Sequence, residues 1–150
     1  PAIYIHSLVG SRNDTQGVHL SGIKRRINRE KLQLDKLNAE LANPESLRSR
    51  VFKGLMKLLE IRTSSSAFHP SATCTVIDLG RNIFALIREN KETGSRILAL
   101  HNLCSTAVGC AIPEDFPLAD TRDLLDETVA FKPPYVLLPA YGIRWLEIDS

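Results

Sequence analysis

The sequence predicts an α+β chain in two parts, one strand followed by a loop and long helices over residues 1–65, and an all-β, antiparallel and sandwich-like part over residues 66–150. Three observations predict it. Between Asn43 and Pro70 runs an amphipathic stretch in which Leu47, Val51, Leu55 and Leu58 recur at helical spacing. After Pro70 come short apolar and β-branched segments, each broken by Gly, Asn, Ser or Pro. Between the two lies Thr63-Ser64-Ser65-Ser66, residues that favour turns and end the helical period.

Composition sets the outer bounds. A hydrophobic fraction of 43% with 24% charged residues over 150 residues is that of a folded chain, one ordinary domain or two small ones. The longest apolar runs, such as Tyr135 to Leu138, fall far below the roughly 20 residues a spanning helix needs, and no charged start with an apolar core marks a secretion signal. No membrane is therefore expected as a partner, and the expected compartment is the cytoplasm. Cys74, Cys104 and Cys110 have no paired spacing and read as reduced core residues. The net charge of +2 is local in origin, because Lys24, Arg25, Arg26, Arg29 and Lys31 cluster in one stretch.

Taken in order, Pro1 to Val9 is apolar without clean alternation, which suits a strand covered on both faces. Gly10 to Gly17 carries loop residues directly after it. Gly22 to Arg29 is polar and basic, and Glu30 to Ala42 regains a helical period through Leu34, Leu37 and Leu41, giving a short helix. The long helix follows, with Asn43 able to cap it, Pro44 at its first position, Glu45 at the positive end of its dipole, and an end near Arg62. Phe52, Leu59 and Ile61 widen its apolar stripe, and Arg48 and Arg50 fall outside it.

In the second part, Thr73–Leu79 and Ile83–Arg88 flank Gly80-Arg81-Asn82 as a hairpin. Ile97–Leu103 and Ala107–Ile112 form an expected second pair, and Pro113–Ala119 a loop. Thr121–Asp126 is expected to pair with Thr128–Phe131, Lys132-Pro133-Pro134 breaks the pattern, and Tyr135–Leu138 and Ile143–Ile148 are the closing strands.

A strand covered on both faces needs neighbouring strands, and the first seventy residues offer no second candidate. A whole (β/α)8 barrel takes about 250 residues. One strand, a polar loop, helices and then a β domain is the pattern of the terminal βα unit of such a barrel with a C-terminal domain attached. Residues 1–65 are accordingly expected to end a catalytic barrel and residues 66–150 to form the C-terminal all-β domain.

Particular residues sharpen this. Tyr4-Ile5-His6-Ser7-Leu8-Val9-Gly10-Ser11-Arg12-Asn13-Asp14, Arg25-Arg26-Ile27-Asn28-Arg29-Glu30-Lys31-Leu32, Leu59-Glu60-Ile61-Arg62 and Ala67-Phe68-His69-Pro70 resemble the closing part of sucrose phosphorylase and its relatives, in the α-amylase superfamily. The wording is more similar to the glucosylglycerate phosphorylase branch than to sucrose phosphorylase itself. The resemblance implies a retaining glucosyl phosphorylase that uses no cofactor and exchanges a glucosyl unit between an α-glucoside and phosphate. In such chemistry one carboxylate attacks the anomeric carbon and a second, about 5 Å away, protonates the leaving oxygen. It also implies that these carboxylates precede Pro1, so that no catalytic residue is expected within the chain and the chain alone is expected to be inactive.

One role carries over. The arginine of the family's Gly-Arg-(Ser or Asp)-Ile-Asn-Arg motif, which holds the glucosyl unit through a hydroxyl, falls on Arg25, whose planar fork suits a diol. The sequence departs from that motif at Lys24, where Gly is usual, and at Arg26, where a small or acidic residue is usual. Asn13 and Asp14 follow the predicted strand at what would be the catalytic face of a barrel. Two roles fit them, contact with substrate and shaping of the loop.

Other readings of the same residues are plainer. The basic cluster has no interleaved aromatic, and with 6% aromatic residues and no recognition motif nucleic acid is not an expected partner. His6, His19, His69 and His101 lack metal-ligand spacing, so no metal is expected. Ser64-Ser65-Ser66 is not flanked as a nucleophile is. Asp120, Asp123, Asp126 and Glu127 lack an EF-hand register and read as a solvated edge. Trp145 reads as core, although with Tyr141 it could form a sugar-stacking platform. An alternative from another class is an independent β-sandwich module that binds carbohydrate or protein. If the chain stands alone, unpaired strand edges and an exposed helix stripe predict self-association.

Overall fold

The computed structural model describes residues 2–112, 114, 116, 121–126, 128 and 134–148. The chain divides into two units, Pro1–Leu59 and Glu60–Ser150.

In the first unit the expected strand is absent. Ile5–Leu8 forms a helical turn, α1, closed by bonds of 3.0 Å from the Leu8 amide to the Tyr4 carbonyl and 3.1 Å from Val9 to Ile5. The reason is the one that made the strand conspicuous: its backbone groups need partners, and the described residues of this unit include no other strand. Gly10, at φ +59°, turns the chain out, and a Cβ there would lie 3.0 Å from Cβ of Val51. The expected loop gives way at Thr15 to a second helix, α2 (Thr15–Ser21), so that His19 is helical. Asp14 caps α2 by accepting from the Gly17 amide at 2.8 Å, and Gly22 ends it in the left-handed conformation. Lys24–Asn28 is a turn of 3-10 helix, and Leu34–Ala42 is the expected short helix, α3.

The long helix, α4, covers Leu47–Ser64, starting three residues later than Pro44. Its start is fixed by Ser46, whose hydroxyl accepts from the Ser49 amide at 3.0 Å and donates to the Glu40 carbonyl. Asn43 instead closes a local turn through the Glu45 amide. Val51, Phe52, Leu55, Leu58 and Leu59 are half-buried, as the stripe requires, and Ser49 is fully buried.

In the second unit a 3-10 turn at Ser66–Phe68 leads to seven strands among the described residues: β1 (Thr73–Asp78), β2 (Ile83–Glu89), β3 (Arg96–Asn102), β4 (Val108–Ala111), β5 (Thr121–Asp123), β6 (Tyr135–Leu138) and β7 (Ile143–Ile148). A five-stranded antiparallel sheet runs β1-β2-β3-β7-β5, and β4 pairs with β6 in a second sheet. The Gly80-Arg81-Asn82 hairpin is present, with Thr73 opposite Glu89 and Asp78 opposite Phe84. The second expected pair is not. β4 joins β6, because the chain leaves the sheet after Asn102, whose side-chain amide donates to the carbonyls of Thr106 and Pro139 at 2.7 and 2.8 Å. β5 lies against β7; residues 129–131 of its expected partner lie outside the described residues, as do most of the expected 113–119 loop and Lys132-Pro133.

The core sits between the sheets. Ile83, Ala85, Leu98, Leu100 and Leu146 from the larger sheet meet Cys110, Val136 and Leu138 from the smaller, with Phe116 filling the space between. On the opposite face of the larger sheet Trp145 packs against Phe68 with ring centroids 4.7 Å apart. Cys110 is buried and Cys104 half-buried, but Cys74 is exposed on β1, an edge strand, so the reading of all three as core fails there.

Candidate functional site

Arg25 stands exposed on the 3-10 turn Lys24–Asn28. It lines a cleft of 390 Å³ with Tyr4, Ile27, Asn28 and Arg29, a lining that holds two guanidinium groups and no carboxylate. The Tyr4 ring stacks on His6 at 4.9 Å, and His6 Nε2 donates to the Glu30 carbonyl at 2.8 Å, which brings the aromatic side chain beside the turn. A wall of this kind, one ring and two planar cations, offers stacking and hydrogen-bond donors to a polyhydroxylated or anionic ligand.

Asp14 is joined to the same turn. Its amide donates to the Ile27 carbonyl at 2.7 Å and its carboxylate lies 3.6 Å from the Arg26 guanidinium while capping α2. A Cβ on Gly17 would fall 2.0 Å from Asp14 Oδ2, so only glycine lets the carboxylate sit over the first turn of the helix. Asn13 is exposed in the same loop, and neither Asn13 nor Asp14 lines the Arg25 cleft. The structure thus brings the loop and the turn together through backbone, with Arg26 in the position that departs from the family motif.

Sequence reasoning missed Arg48. The helical period placed it on the solvated side, yet its side chain is 14% exposed. Nη2 donates to Glu30 at 2.8 Å, Nε to Glu40, and Nη1 to the Val9 carbonyl and the Ser11 hydroxyl at 3.1 and 2.9 Å. Burial works to lower its pKa, but the hydrogen bonds and charges of Glu30 and Glu40 outweigh burial and leave it raised above the ordinary arginine value. The only sequence signal was the charge itself, on a helix flanked by two acidic residues far away in the chain.

The remaining candidates are engaged in structural bonds. Ser64 donates to the Ile61 carbonyl, Ser65 to Glu147, and Ser66 is bonded to Thr93. Asp123, read as part of a solvated edge, is instead buried: it accepts from Arg144 at 2.7 Å and from the amides of Leu125 and Trp145 at 3.0 and 3.2 Å. Asp120 and Glu127 lie outside the described residues. Trp145 is core, its ring met by Phe68, and Tyr141 stands exposed apart from it, so no stacking platform forms. Among the described residues no cluster of His, Cys, Asp or Glu could hold a metal ion, and no helix is long and apolar enough to cross a membrane.

No family model matches the chain. Two curated relatives do: glucosylglycerate phosphorylase of Spirochaeta thermophila, 40% identical over 97% of this chain and 27% of the relative, and glucosylglycerate phosphorylase of Escherichia coli K12, 36% identical over 98% of this chain and 25% of the relative. Among solved structures, trehalose-6-phosphate hydrolase of Bacillus licheniformis superposes with a TM-score of 0.57 at 16% identity, covering 75% of this chain and 20% of that one. Trehalulose synthase of Pseudomonas mesoacidophila MX-45 does so with a TM-score of 0.58 at 17% identity and the same coverage. The chain spans about a quarter of the length of the curated relatives it matches. An alignment that runs over nearly the whole chain at 36–40% identity makes it a homologue of the matching quarter of the glucosylglycerate phosphorylases, on a fold shared with the two solved enzymes.

Proposed function

We propose that these residues supply one part of a glucosyl phosphorylase that moves a glucosyl unit between an α-glucoside, glucosylglycerate or sucrose, and phosphate. The nucleophile and the acid/base of its retaining mechanism belong to the portion of the relatives that this chain does not match, so the chain has no activity by itself. Residues 1–65 contribute to the catalytic domain, and residues 66–150 form the C-terminal all-β domain. The site works in the cytoplasm without a cofactor. Arg25 binds the glucosyl unit from the wall of its cleft, donating to a sugar hydroxyl, while Asn13 and Asp14 shape the adjoining loop. A guanidinium with no competing carboxylate in its cleft keeps its donors for the ligand. The observation that carries the reading is 40% identity over 97% of the chain to a glucosylglycerate phosphorylase.

The test is a graft. The 150 residues replace the matching stretch of the Spirochaeta thermophila enzyme, and glucose 1-phosphate is assayed from glucosylglycerate and phosphate. The graft is expected to form product, the free chain none, and Arg25→Ala in the graft to lower kcat/KM by about 100-fold, the loss of a hydrogen bond from a charged donor. Product from the free chain, or a folded graft in which Arg25→Ala changes nothing, would overturn the reading.

A further inference from the structure

Arg48 is the only side chain described in the first unit that bonds to three separated segments at once: the loop at Val9–Ser11, Glu30 beyond the 3-10 turn, and Glu40 on α3. Followed outward, its bonds close a circuit. Ser11, held by Nη1, leads along the chain to Asp14, whose amide donates to the Ile27 carbonyl at 2.7 Å. Ile27 leads through Arg29 to Glu30, whose carboxylate returns to Nη2 of Arg48 at 2.8 Å. His6 grips the Glu30 carbonyl from another direction. Asn13 and Asp14 lie on one arc of this circuit, and Asn28 and Arg29 on the other, next to the turn that bears Arg25.

Arg25 needs such a frame. No described residue bonds its side chain, so its placement is only as definite as the backbone beneath it. That backbone is a single turn of 3-10 helix, which has few internal hydrogen bonds and borrows its order from neighbours. Only a fork of several donors fixed in a plane serves here, because the acceptors on Val9, Ser11, Glu30 and Glu40 must be met together.

We propose that Arg48 is a positioning residue: through the Ser11–Asp14–Ile27–Glu30 circuit it sets the turn that presents Arg25, and it touches no ligand itself. The sugar-binding role of Arg25 rests on the function proposed above; the circuit does not. A lysine at position 48 keeps the charge but not the fork, and restores the circuit only in part. Glu30→Gln keeps an acceptor and the circuit, whereas Glu30→Ala opens it.

The experiment has two arms. In the 150-residue chain, residue-resolved amide exchange is measured for Arg48→Ala, Ser11→Ala, Glu30→Gln and the neighbouring exposed Arg50→Ala. Arg48→Ala is expected to speed exchange of the Asp14 amide by about tenfold or more, and Ser11→Ala by less, while Glu30→Gln and Arg50→Ala leave it unchanged. An Asp14 amide unmoved in both Arg48→Ala and Ser11→Ala overturns the proposal, and so does a rise spread equally over α3 and α4 in both, the mark of general loosening. In the graft, Arg48→Ala is expected to raise KM for glucosylglycerate about tenfold at nearly unchanged kcat, with Arg48→Lys in between. A fall in kcat at constant KM, which loss of folded protein would give, overturns it. If the unsubstituted graft makes no glucose 1-phosphate, the phosphorylase reading falls, and the exchange arm still decides the circuit.

Discussion

Replacing Asp123 by alanine should remove a large share of the stability of the β unit. The side chain of Asp123 has no exposed surface and that of Arg144 has 14%. The carboxylate answers three donors: Arg144 Nη1 at 2.7 Å and the amides of Leu125 and Trp145 at 3.0 and 3.2 Å. Each buried N–H left without an acceptor costs about 1–3 kcal/mol, and breaking a buried ion pair by removing one partner costs about 3–5 kcal/mol. These overlap, since the same cavity relaxes once, so about 3–5 kcal/mol is expected for Asp123→Ala. Asp123→Asn keeps an acceptor for both amides and loses the charge opposite Arg144, for about 1–3 kcal/mol. Trp145 is the only tryptophan of the chain and lies beside the site, so its fluorescence in a urea titration reports this unit. The midpoint should fall in the order parent, Asn, Ala, at constant slope. An alanine variant within about 1 kcal/mol of the parent would refute the account of Asp123 as a load shared by three donors.

Three further outcomes are expected. Gly10→Ala combines a φ of +59° with a Cβ 3.0 Å from Val51, whereas Gly22→Ala at φ +67° meets nothing within 4 Å; calorimetry should show the second losing about 1 kcal/mol and the first clearly more. Burial lowers the His101 pKa from its ordinary value, so the unfolded chain takes up that proton first on acidification: the contribution of neutral His101 to stability is complete above about pH 6.5 and is lost as pH falls through the lower folded value. His101→Gln should flatten the loss of stability over that window, and an unchanged slope in denaturant titrations at several pH values would contradict it. Cys74 is exposed while burial hides Cys110 and raises its pKa, so a thiol reagent should label Cys74 at once and Cys110 only on unfolding, as mass mapping can check.

What could be read from the residues was what depends on near neighbours. The Gly80-Arg81-Asn82 hairpin, the helix through Leu34, Leu37 and Leu41, and the positions of the strands at Tyr135 and Ile143 follow from turn chemistry and period, and they are where the reading put them. Pairing across distance was not legible. β4 carries nothing that prefers β6 to β3; the choice is made by Asn102, whose amide ties Thr106 and Pro139 and takes the chain off the sheet. The opening run from Ile3 to Val9 has strand-like composition, and composition does not reveal that a four-residue helical turn satisfies its backbone locally. Of the candidate site, Arg25 came from motif resemblance and the basic cluster from charge. Arg48 stayed hidden because burial of an arginine depends on carboxylates 8 and 18 residues away, which no window of helical period compares.

The order β1-β2-β3-β7-β5 places β7, which follows the other described strands in the chain, in the interior of the larger sheet. Until Ile143–Ile148 clears the ribosome, β3 presents a bare ladder, Asp123 has neither Arg144 nor the Trp145 amide to hold, and Leu98 and Leu100 lack Leu146 and Arg144 as sheet partners. A nascent chain in that state displays both an open edge and an apolar face, the features that holding chaperones and proteases recognise. Premature stops before Ile143 should therefore yield material that is cleared rather than a shortened β unit.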